Sequence, residues 1–347
     1  MARLNLIGNS LSALMQITMQ KPFYSTLFVT KRCNSRCMFC NASNNKSRIP
    51  PLEEIKRIID ECRDFGICAM TITGGEPMLR PDIFEILKYI ESRGIVYSMV
   101  TNGTLWDEDK INEIRKRKIY TLSFSLDTLD RKKYRRIRGI DGLPLLKSTL
   151  ELAAEKNMRH GFVSTLTTVN ELNINEVFDI VEFDRRNKFR FTCAPVSHGQ
   201  NFKFRADSGA HSLNSKSAGN VSGLFNKLAE QCKKDRTIIG PSVYYRNISS
   251  FFEGNYSVPC DAGKYYISIG HDGGVSACQD FPEFGNILKD GLKKALENRT
   301  QEQMIKACAK NNPCFYGCTT FFSMLLRQPL LEKFSSIAEE SWKGLLL

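Results

Sequence analysis

Three cysteines spaced Cys-x3-Cys-x2-Cys are the residues of this sequence best suited to chemistry: Cys33, Cys37 and Cys40. They follow an apolar stretch, residues 24–29, that is typical of a buried β-strand. A four-iron cluster is held by four ligands, and this motif supplies three, so one iron would stay open. A zinc ion usually takes four ligands from two separated pairs. A disulfide framework suits a secreted chain, and we find no signal-peptide pattern here. Both alternatives therefore explain the spacing less well.

A second motif follows the apolar residues 70–72 and reads Gly74-Gly75-Glu76-Pro77. Together, the two motifs resemble those of the radical S-adenosyl-L-methionine (SAM) superfamily. The resemblance implies a 4Fe-4S cluster on the cysteine triad, with SAM chelating the open iron through its amino and carboxylate groups. It also implies that Glu76 fixes the SAM ammonium, while Gly74 and Gly75 let the backbone approach it. Without the triad, this motif would predict only a tight turn into a helix.

Other polar residues follow the predicted strands and are candidates for contacts with SAM. The resemblance places Ser125 and Asp127 at the ribose hydroxyls, with Asn102 beside them in a turn. Arg138 and Asn170 are further candidates for polar contacts. As isolated residues, all of these are also typical of caps, turns or the protein surface.

Six apolar, β-branched stretches alternate with helical patterns, which predicts an α/β fold with a parallel sheet. The stretches are residues 24–29, 68–73, 95–101, 120–126, 161–168 and 189–194. The resemblance implies a partial (β/α)6 TIM-like barrel, whose site lies at the carboxyl ends of the strands. We predict an N-terminal helical segment over 1–22, the barrel over 23–235 and an auxiliary cluster domain over 236–347. Residues 199–223 are expected to form a loop, either a lid or a plain surface loop.

A second group of cysteines lies near the C-terminus: Cys260, Cys278, Cys308, Cys314 and Cys318. A predicted hairpin, with its turn at 271–274, brings the first two side by side. The group resembles the SPASM/twitch extension of radical SAM enzymes, but two cysteines of the full pattern are missing. We therefore expect one auxiliary 4Fe-4S cluster on Cys260, Cys278, Cys318 and either Cys308 or Cys314; the alternative is a zinc-stapled extension. The remaining cysteines are expected to be buried thiols, namely Cys62, Cys68, Cys193 and Cys232.

The composition is basic, with 49 Lys and Arg against 37 Asp and Glu and a net charge of +12. Such a charge suits an acidic substrate, an anionic membrane or an acidic reductant of the flavodoxin or ferredoxin type. The densest basic run, residues 131–138, is predicted to be a solvated helix face, and no nucleic-acid motif accompanies it. No apolar run reaches the ~20 residues of a membrane-spanning helix. Several thiol ligands suit a reducing cytoplasm.

Both chain ends carry apolar residues that we expect to pack against the barrel, with peripheral membrane contact as the alternative. At the N-terminus these include Leu11, Leu14 and Met15.

The expected function is radical SAM chemistry: reductive cleavage of SAM to a 5′-deoxyadenosyl radical that abstracts a hydrogen atom. We expect a small-molecule or lipid-like biosynthetic substrate, because the triad begins at residue 33 and no peptide-recognition domain precedes it. The first alternative is modification of a peptide or protein side chain. The second, from another class, is a non-catalytic iron–sulfur electron carrier.

Overall fold

The computed structural model describes residues 2–40, 47–156, 158, 163–196, 218–255, 260–279, 281–297, 323–324 and 326–327. The strands are β1 Tyr24–Phe28, β2 Ala69–Thr73, β3 Val96–Thr101, β4 Thr121–Ser125, β5 Val163–Val169, β6 Arg190–Pro195, β7 Tyr266–Ile269, β8 Gly274–Ser276 and β9 Gly285–Asn286. The helices are α1 Ala2–Thr18, α2 Leu52–Phe65, α3 Ile83–Ser92, α4 Glu108–Arg115, α5 Arg131–Arg138, α6 Leu143–Glu155, α7 Val177–Asn187, α8 Ala218–Gln231, α9 Ser242–Phe252, α10 Ile287–Asp290 and α11 Leu292–Leu296.

One nine-stranded sheet organises the described chain, in the order β6-β5-β4-β3-β2-β1-β7-β8-β9. Strands β1 to β6 are parallel and adjacent in chain order. The outer edge of β1 pairs with β7 and not with β6, so the sheet stays open as a partial barrel. The predicted α/β fold is confirmed, and each predicted strand range agrees with the observed one to within about two residues.

Apolar side chains on one face of the sheet pack against the helices. Met70 and Ile72 of β2 join the same buried cluster as Ile55 and Ile59 of α2. The buried residues of α2 lie three and four positions apart along one face, as the helical repeat requires, and are Ile55, Ile58, Ile59 and Cys62. Burying each such side chain contributes about 1.5–3 kcal/mol. This packing fixes the strand ends that carry the site.

The C-terminal strands extend the barrel sheet without a break. Strand β7 runs parallel to β1, and β7, β8 and β9 form an antiparallel meander. The predicted hairpin turn at 271–274 is therefore confirmed. The predicted domain boundary at 235/236 stays a prediction, since the sheet itself continues across it.

The segment predicted to be a loop, 199–223, lies mostly outside the described residues. Its last part, residues 218–223, belongs instead to α8. Apolar residues on one side of this helix enter the core, among them Val221 and Phe225. The loop prediction was therefore wrong for residues 218–223.

The N-terminal helix faces the barrel with polar side chains. Asn9 donates to the Gly94 carbonyl oxygen (2.9 Å), and Gln16 donates to the Phe65 carbonyl oxygen (2.9 Å). The expectation that Leu11, Leu14 and Met15 pack against the barrel was wrong, because these side chains are exposed. Among the described residues, no helix is long and apolar enough to cross a membrane.

Candidate active site

The cysteine loop, residues 30–40, lies directly against the Gly74–Pro77 turn. Gly75 N–H donates to the Thr30 carbonyl oxygen and Glu76 N–H to that of Arg32, both at 2.8 Å. A Cβ on Gly74, whose φ is 151°, would lie 2.3 Å from the Thr30 oxygen, and one on Gly75 would lie 2.1 Å from the Arg32 oxygen. The two glycines are therefore required for this contact between backbones, in addition to any approach to SAM.

The C-terminus of α5 holds the other side of the cysteine loop. Arg36 N–H donates to the carbonyl oxygen of Arg138, and Met38 N–H to that of Ile137, both at 2.9 Å. The next residue, Gly139, has φ 67° and ends the helix. A Cβ there would lie 2.2 Å from the Arg36 oxygen. The loop is thus clamped between the glycine turn and α5.

Asn102, predicted to contact SAM, links the end of β3 to the cysteine loop. Its side-chain amide donates to Asn34 Oδ1 (2.7 Å) and to Ser35 Oγ (3.2 Å). Asn34 in turn donates to Thr104 Oγ1 (2.9 Å). A contact between Asn102 and SAM stays a prediction, while this positioning role is observed.

The three cysteines are partly exposed on one short loop. Burial raises the pKa of Cys33 to about 12, although the hydrogen bond from Ser35 N–H acts to lower it. Burial also raises the pKa of Cys37, although the positive charge of Arg138 acts to lower it. Their sulfurs already receive donors: Ser35 N–H points at Cys33 (3.4 Å) and Arg138 Nη1 at Cys37 (3.7 Å). Donors aimed at sulfur are typical of iron–sulfur sites, so these residues fit a cluster.

Nowhere in the described ranges do three His, Cys, Asp or Glu side chains converge as they would on a single metal ion. A four-iron cluster does not need such convergence, because it distributes its thiolate ligands over separate corners.

Glu76 is buried and engaged with the protein itself. Its Oε1 accepts hydrogen bonds from Met78 N–H (3.1 Å) and Thr101 Oγ1 (2.7 Å), and its Oε2 accepts one from Asn102 N–H (2.7 Å). Burial raises the pKa of this carboxyl, and the three donors oppose that rise. Only 1% of Glu76 is exposed, so the observed role of Glu76 is to join the ends of β2 and β3. A contact with the SAM ammonium remains a prediction, as does any role of the buried Pro77 beyond starting a short 3-10 helix.

Asp127 and Arg138 form a buried ion pair beside Cys37. Arg138 Nε donates to Asp127 Oδ2 (2.6 Å), while Asp127 Oδ1 accepts from Thr168 N–H (2.8 Å). Asp127 is 0% exposed and Arg138 is 6% exposed. The pair corrects the expectation that residues 131–138 form only a solvated face. Asp127 positions Arg138, and its predicted contact with ribose remains a prediction.

The remaining candidates for contacts with SAM, Ser125 and Asn170, lie at a strand end and in a turn. Ser125 ends β4, is 7% exposed, and shows no side-chain hydrogen bond among the described residues. Asn170 closes a turn by accepting from Leu172 N–H (2.9 Å). The cysteines predicted to be plain thiols are all buried, namely Cys62, Cys68, Cys193 and Cys232.

Small hydroxyl side chains line the face of the sheet that looks away from the helices. Alternation along the paired strands places on this face Thr26, Thr71, Thr73, Ser98, Thr121, Ser123, Ser125, Ser164, Thr168, Thr192 and Ser268. The same register places apolar side chains among them, including Phe28, Val100 and Leu166. Ser123 and Ser164 are hydrogen-bonded across the strands at 2.8 Å. The one charged strand position of this face is Arg190, at the amino end of β6. We call this surface the hydroxyl face.

Two of the five C-terminal cysteines, Cys260 and Cys278, are described. Both pack against one small apolar cluster of Ala262, Ala277 and Phe281, which brings the two thiols to the same place. Arg327 pairs with both carboxylate oxygens of Asp261 (2.6 and 2.8 Å), so the chain returns beside Cys260. The remaining predicted ligands lie outside the described residues, namely Cys308, Cys314 and Cys318.

Sequence reasoning missed two features of this site. It did not foresee that β7 pairs with β1, which brings Asp272 of the hairpin turn within 3.9 Å of Lys31 in the cysteine loop. It also missed Tyr134, which is buried on α5 beside Arg138. The four-residue spacing of Tyr134 and Arg138 in the basic run could have revealed their shared helix face.

Comparison with known proteins agrees with this geometry. The radical SAM superfamily profile matches residues 27–183, and the SPASM profile, an iron–sulfur cluster-binding domain, matches residues 260–319. The GTP 3′,8-cyclase of Clostridium perfringens (strain SM101 / Type A) is 28% identical over 315 residues, 84% of this chain and 90% of that protein. The probable GTP 3′,8-cyclase of Thermococcus kodakarensis is 34% identical over 163 residues, 45% of this chain and 50% of that protein. The chain thus matches only about half the length of several curated relatives.

The fold of this chain is similar to that of several solved structures. SuiB of Streptococcus suis bound to its precursor peptide SuiA superposes with a TM-score of 0.65 at 17% identity, covering 92% of this chain and 77% of that one. Native anSMEcpe with bound S-adenosylmethionine gives 0.63 at 19% identity, covering 82% and 83%. At such identities the likeness shows the fold alone.

Proposed function

Because this chain belongs to the radical SAM superfamily and carries a SPASM iron–sulfur domain, we propose that it abstracts a hydrogen atom from a small, polar, hydrogen-bonding substrate. It is an enzyme whose cofactors are iron–sulfur clusters and SAM, so the electron-carrier alternative was wrong. Cys33, Cys37 and Cys40 would hold the cluster, which would supply the electron for reductive cleavage of SAM and thereby the hydrogen-abstracting chemistry that yields methionine and 5′-deoxyadenosine. The residues of this chain hold the cysteine loop, support SAM and exclude water.

The hydroxyl face is the observation that carries the substrate class. It belongs to the strands that the cysteine loop and the glycine turn follow, and its strand positions hold many hydroxyls and no carboxylate. Ser268 is buried with no partner for its hydroxyl among the described residues, and buried Ser125 shows no side-chain hydrogen bond there. A lipid-like substrate would leave such hydroxyls without water or partners, which costs free energy. A substrate rich in donors and acceptors would satisfy them. We therefore favour a polar small molecule over the lipid-like one.

Among polar substrates, we favour a nucleotide over a peptide. Two relatives named GTP 3′,8-cyclase align with most of this chain and several others with just under half of it, and the net charge of +12 suits an anionic substrate. A peptide or protein side chain is the second candidate, because hydroxyl groups can also bind amides. A reductant of the flavodoxin or ferredoxin type and a cytoplasmic location complete the proposal, since the cluster must be reduced and its thiols kept free. The exposed apolar residues of α1, Leu11, Leu14 and Met15, keep peripheral membrane contact as a prediction.

The test is anaerobic turnover of the reconstituted enzyme with SAM and dithionite. Deuterated nucleotides, including GTP, are compared with peptides and with phospholipids, and 5′-deoxyadenosine is analysed by mass spectrometry. We expect deuterium to enter 5′-deoxyadenosine from a nucleotide. Cys37→Ala should abolish SAM cleavage, whereas Cys232→Ala, at a buried thiol outside the site, should retain it. Cleavage retained in Cys37→Ala would count against the proposal, and deuterium arriving only from peptides or lipids would overturn the substrate class.

A further inference from the structure

Arg138 is held so that its guanidinium faces a cluster ligand. Its Nη1 lies 3.7 Å from Cys37 Sγ, and its Nε bonds to Asp127 at 2.6 Å. Asp127 is itself fixed by Thr168 N–H. Since both members of the ion pair are buried, the guanidinium cannot swing into solvent. The pair therefore presents an N–H donor to the Cys37 sulfur in a fixed direction.

Tyr134 lies one helical turn before Arg138 and has an unused hydroxyl. The residue is 0% exposed, and its hydroxyl oxygen finds no hydrogen-bond partner within the described part of the chain. Tyr134 and Arg138 are both buried and lie four residues apart on α5, so their side chains share one face of this helix. A buried donor without an acceptor costs free energy, so the Tyr134 hydroxyl calls for an acceptor on the face of α5 that also carries Arg138.

We propose that Tyr134 and Arg138 form a donor pair from α5 that hydrogen-bonds the sulfur atoms around Cys37 and raises the reduction potential of the radical SAM cluster. One-electron reduction adds negative charge to the cluster, and donors to its sulfurs stabilise that charge. Tyr134 and Arg138 tune the reduction potential of the cluster through their hydrogen bonds, and Asp127 contributes by holding Arg138 in position. This inference rests on the proposed function for the presence of the cluster, but it does not depend on the substrate.

The experiment is a dithionite titration of the reconstituted holoenzyme, followed by EPR without SAM. The radical SAM cluster is identified as the signal that Cys37→Ala lacks. Tyr134→Phe removes only the hydroxyl, and Arg138→Lys keeps the charge but loses the planar fork. We expect each to lower the midpoint potential. The double variant should make reduction about tenfold less favourable, or about 59 mV for a one-electron couple.

Matched controls come from exposed residues of similar type, Arg136 on the same helix and Tyr120 before β4. Arg136→Gln and Tyr120→Phe should leave the potential unchanged. Cluster-free Tyr134→Phe should unfold no earlier than the parent protein, because the hydroxyl that is removed has no partner among the residues that the structure describes. Unchanged potentials in fully loaded Tyr134→Phe and Arg138→Lys would overturn the inference. So would weaker SAM binding by Tyr134→Phe at an unchanged potential, which would assign the hydroxyl to SAM. A parent protein that forms no reducible cluster would instead overturn the proposed function.

Discussion

At the scale of single residues, the carboxylates of Glu76 and Asp127 are buried, and both accept hydrogen bonds from other residues of the chain. Glu76 joins two strand ends through three hydrogen bonds, and Asp127 orients Arg138. The sequence indicated both as functional residues, because they follow strands beside a recognisable motif. It could not indicate their partners, since Thr101 and Thr168 come from other strands and reach them only in the folded sheet.

Replacing Glu76 by Gln tests its two roles together. The NH2 group of the new Gln would face an N–H or O–H donor in place of a carboxylate oxygen. This repulsion should lower the free energy of unfolding of the cofactor-free protein by about 1–3 kcal/mol. If Glu76 also binds the SAM ammonium, SAM affinity should fall roughly tenfold or more. Thermal unfolding of the cluster-free protein and SAM binding to the loaded protein measure the two effects. Glu85→Gln, on the exposed side of α3, should change neither. Lower stability with unchanged SAM affinity would leave Glu76 as a turn organiser only.

At the scale of secondary-structure elements, close contacts between backbone segments determine the geometry of the site. The cysteine loop fits between the glycine turn and the end of α5 only because Gly74, Gly75 and Gly139 lack a Cβ. Hydrophobic repeats in the sequence predicted the helices and strands on either side. They carry no information on how near two loops come, because that distance depends on the packing of the whole sheet.

Gly139→Ala should displace the cysteine loop. The added Cβ would lie 2.2 Å from the Arg36 oxygen, and the left-handed φ adds about 1 kcal/mol of strain. Gly94→Ala is the matched control, because its φ is also left-handed (69°) but nothing lies within 4 Å of the new Cβ. We expect Gly139→Ala to bind less iron at the radical SAM site, measured by iron analysis and visible absorption, and Gly94→Ala to bind it normally. Equal iron loading in both variants would show that the loop tolerates the clash.

Asp184 of α7 should make stability depend on pH. It accepts from Thr165 Oγ1 (2.5 Å) of β5, its other oxygen has no partner among the described residues, and burial raises its pKa well above the ordinary value. A raised pKa means that the protonated form favours folding, so its contribution is complete below the unfolded pKa of about 3.9 and is lost as pH rises. Asp184→Asn removes this loss. Its advantage in thermal unfolding should therefore be greater at pH 8 than at pH 5, and a pH-independent difference would contradict this.

At the scale of the whole molecule, the continuous sheet links the two predicted cluster sites. Strand β7 lies beside β1, so the hairpin that precedes Cys278 adjoins the strand that precedes Cys33. A SPASM domain on a barrel was expected from the cysteine spacing. The sequence did not indicate that β7 of this domain pairs with the edge of β1, because this pairing joins residues about 240 positions apart.

Iron content tests the auxiliary cluster. We expect about eight irons per chain, as two 4Fe-4S clusters. Replacing Cys33, Cys37 and Cys40 together by Ala should leave about half of the iron and a coloured, EPR-active protein. Adding Cys278→Ala should remove the rest, whereas adding Cys62→Ala, at a buried thiol of α2, should not. A triple variant without iron would show that the C-terminal cysteines hold no cluster of their own.

The sequence by itself predicted the family and the order of elements. Cysteine spacing and the glycine turn are local patterns, and periodic burial along the chain reports helices and strands. Tertiary structure alone decided which residues became partners. It turned Arg138 and Tyr134 from part of a basic run into buried neighbours of Cys37, and it gathered scattered hydroxyls into one face. The physical reason is that side-chain partners are set by sheet register and helix packing, which bring together residues far apart in sequence.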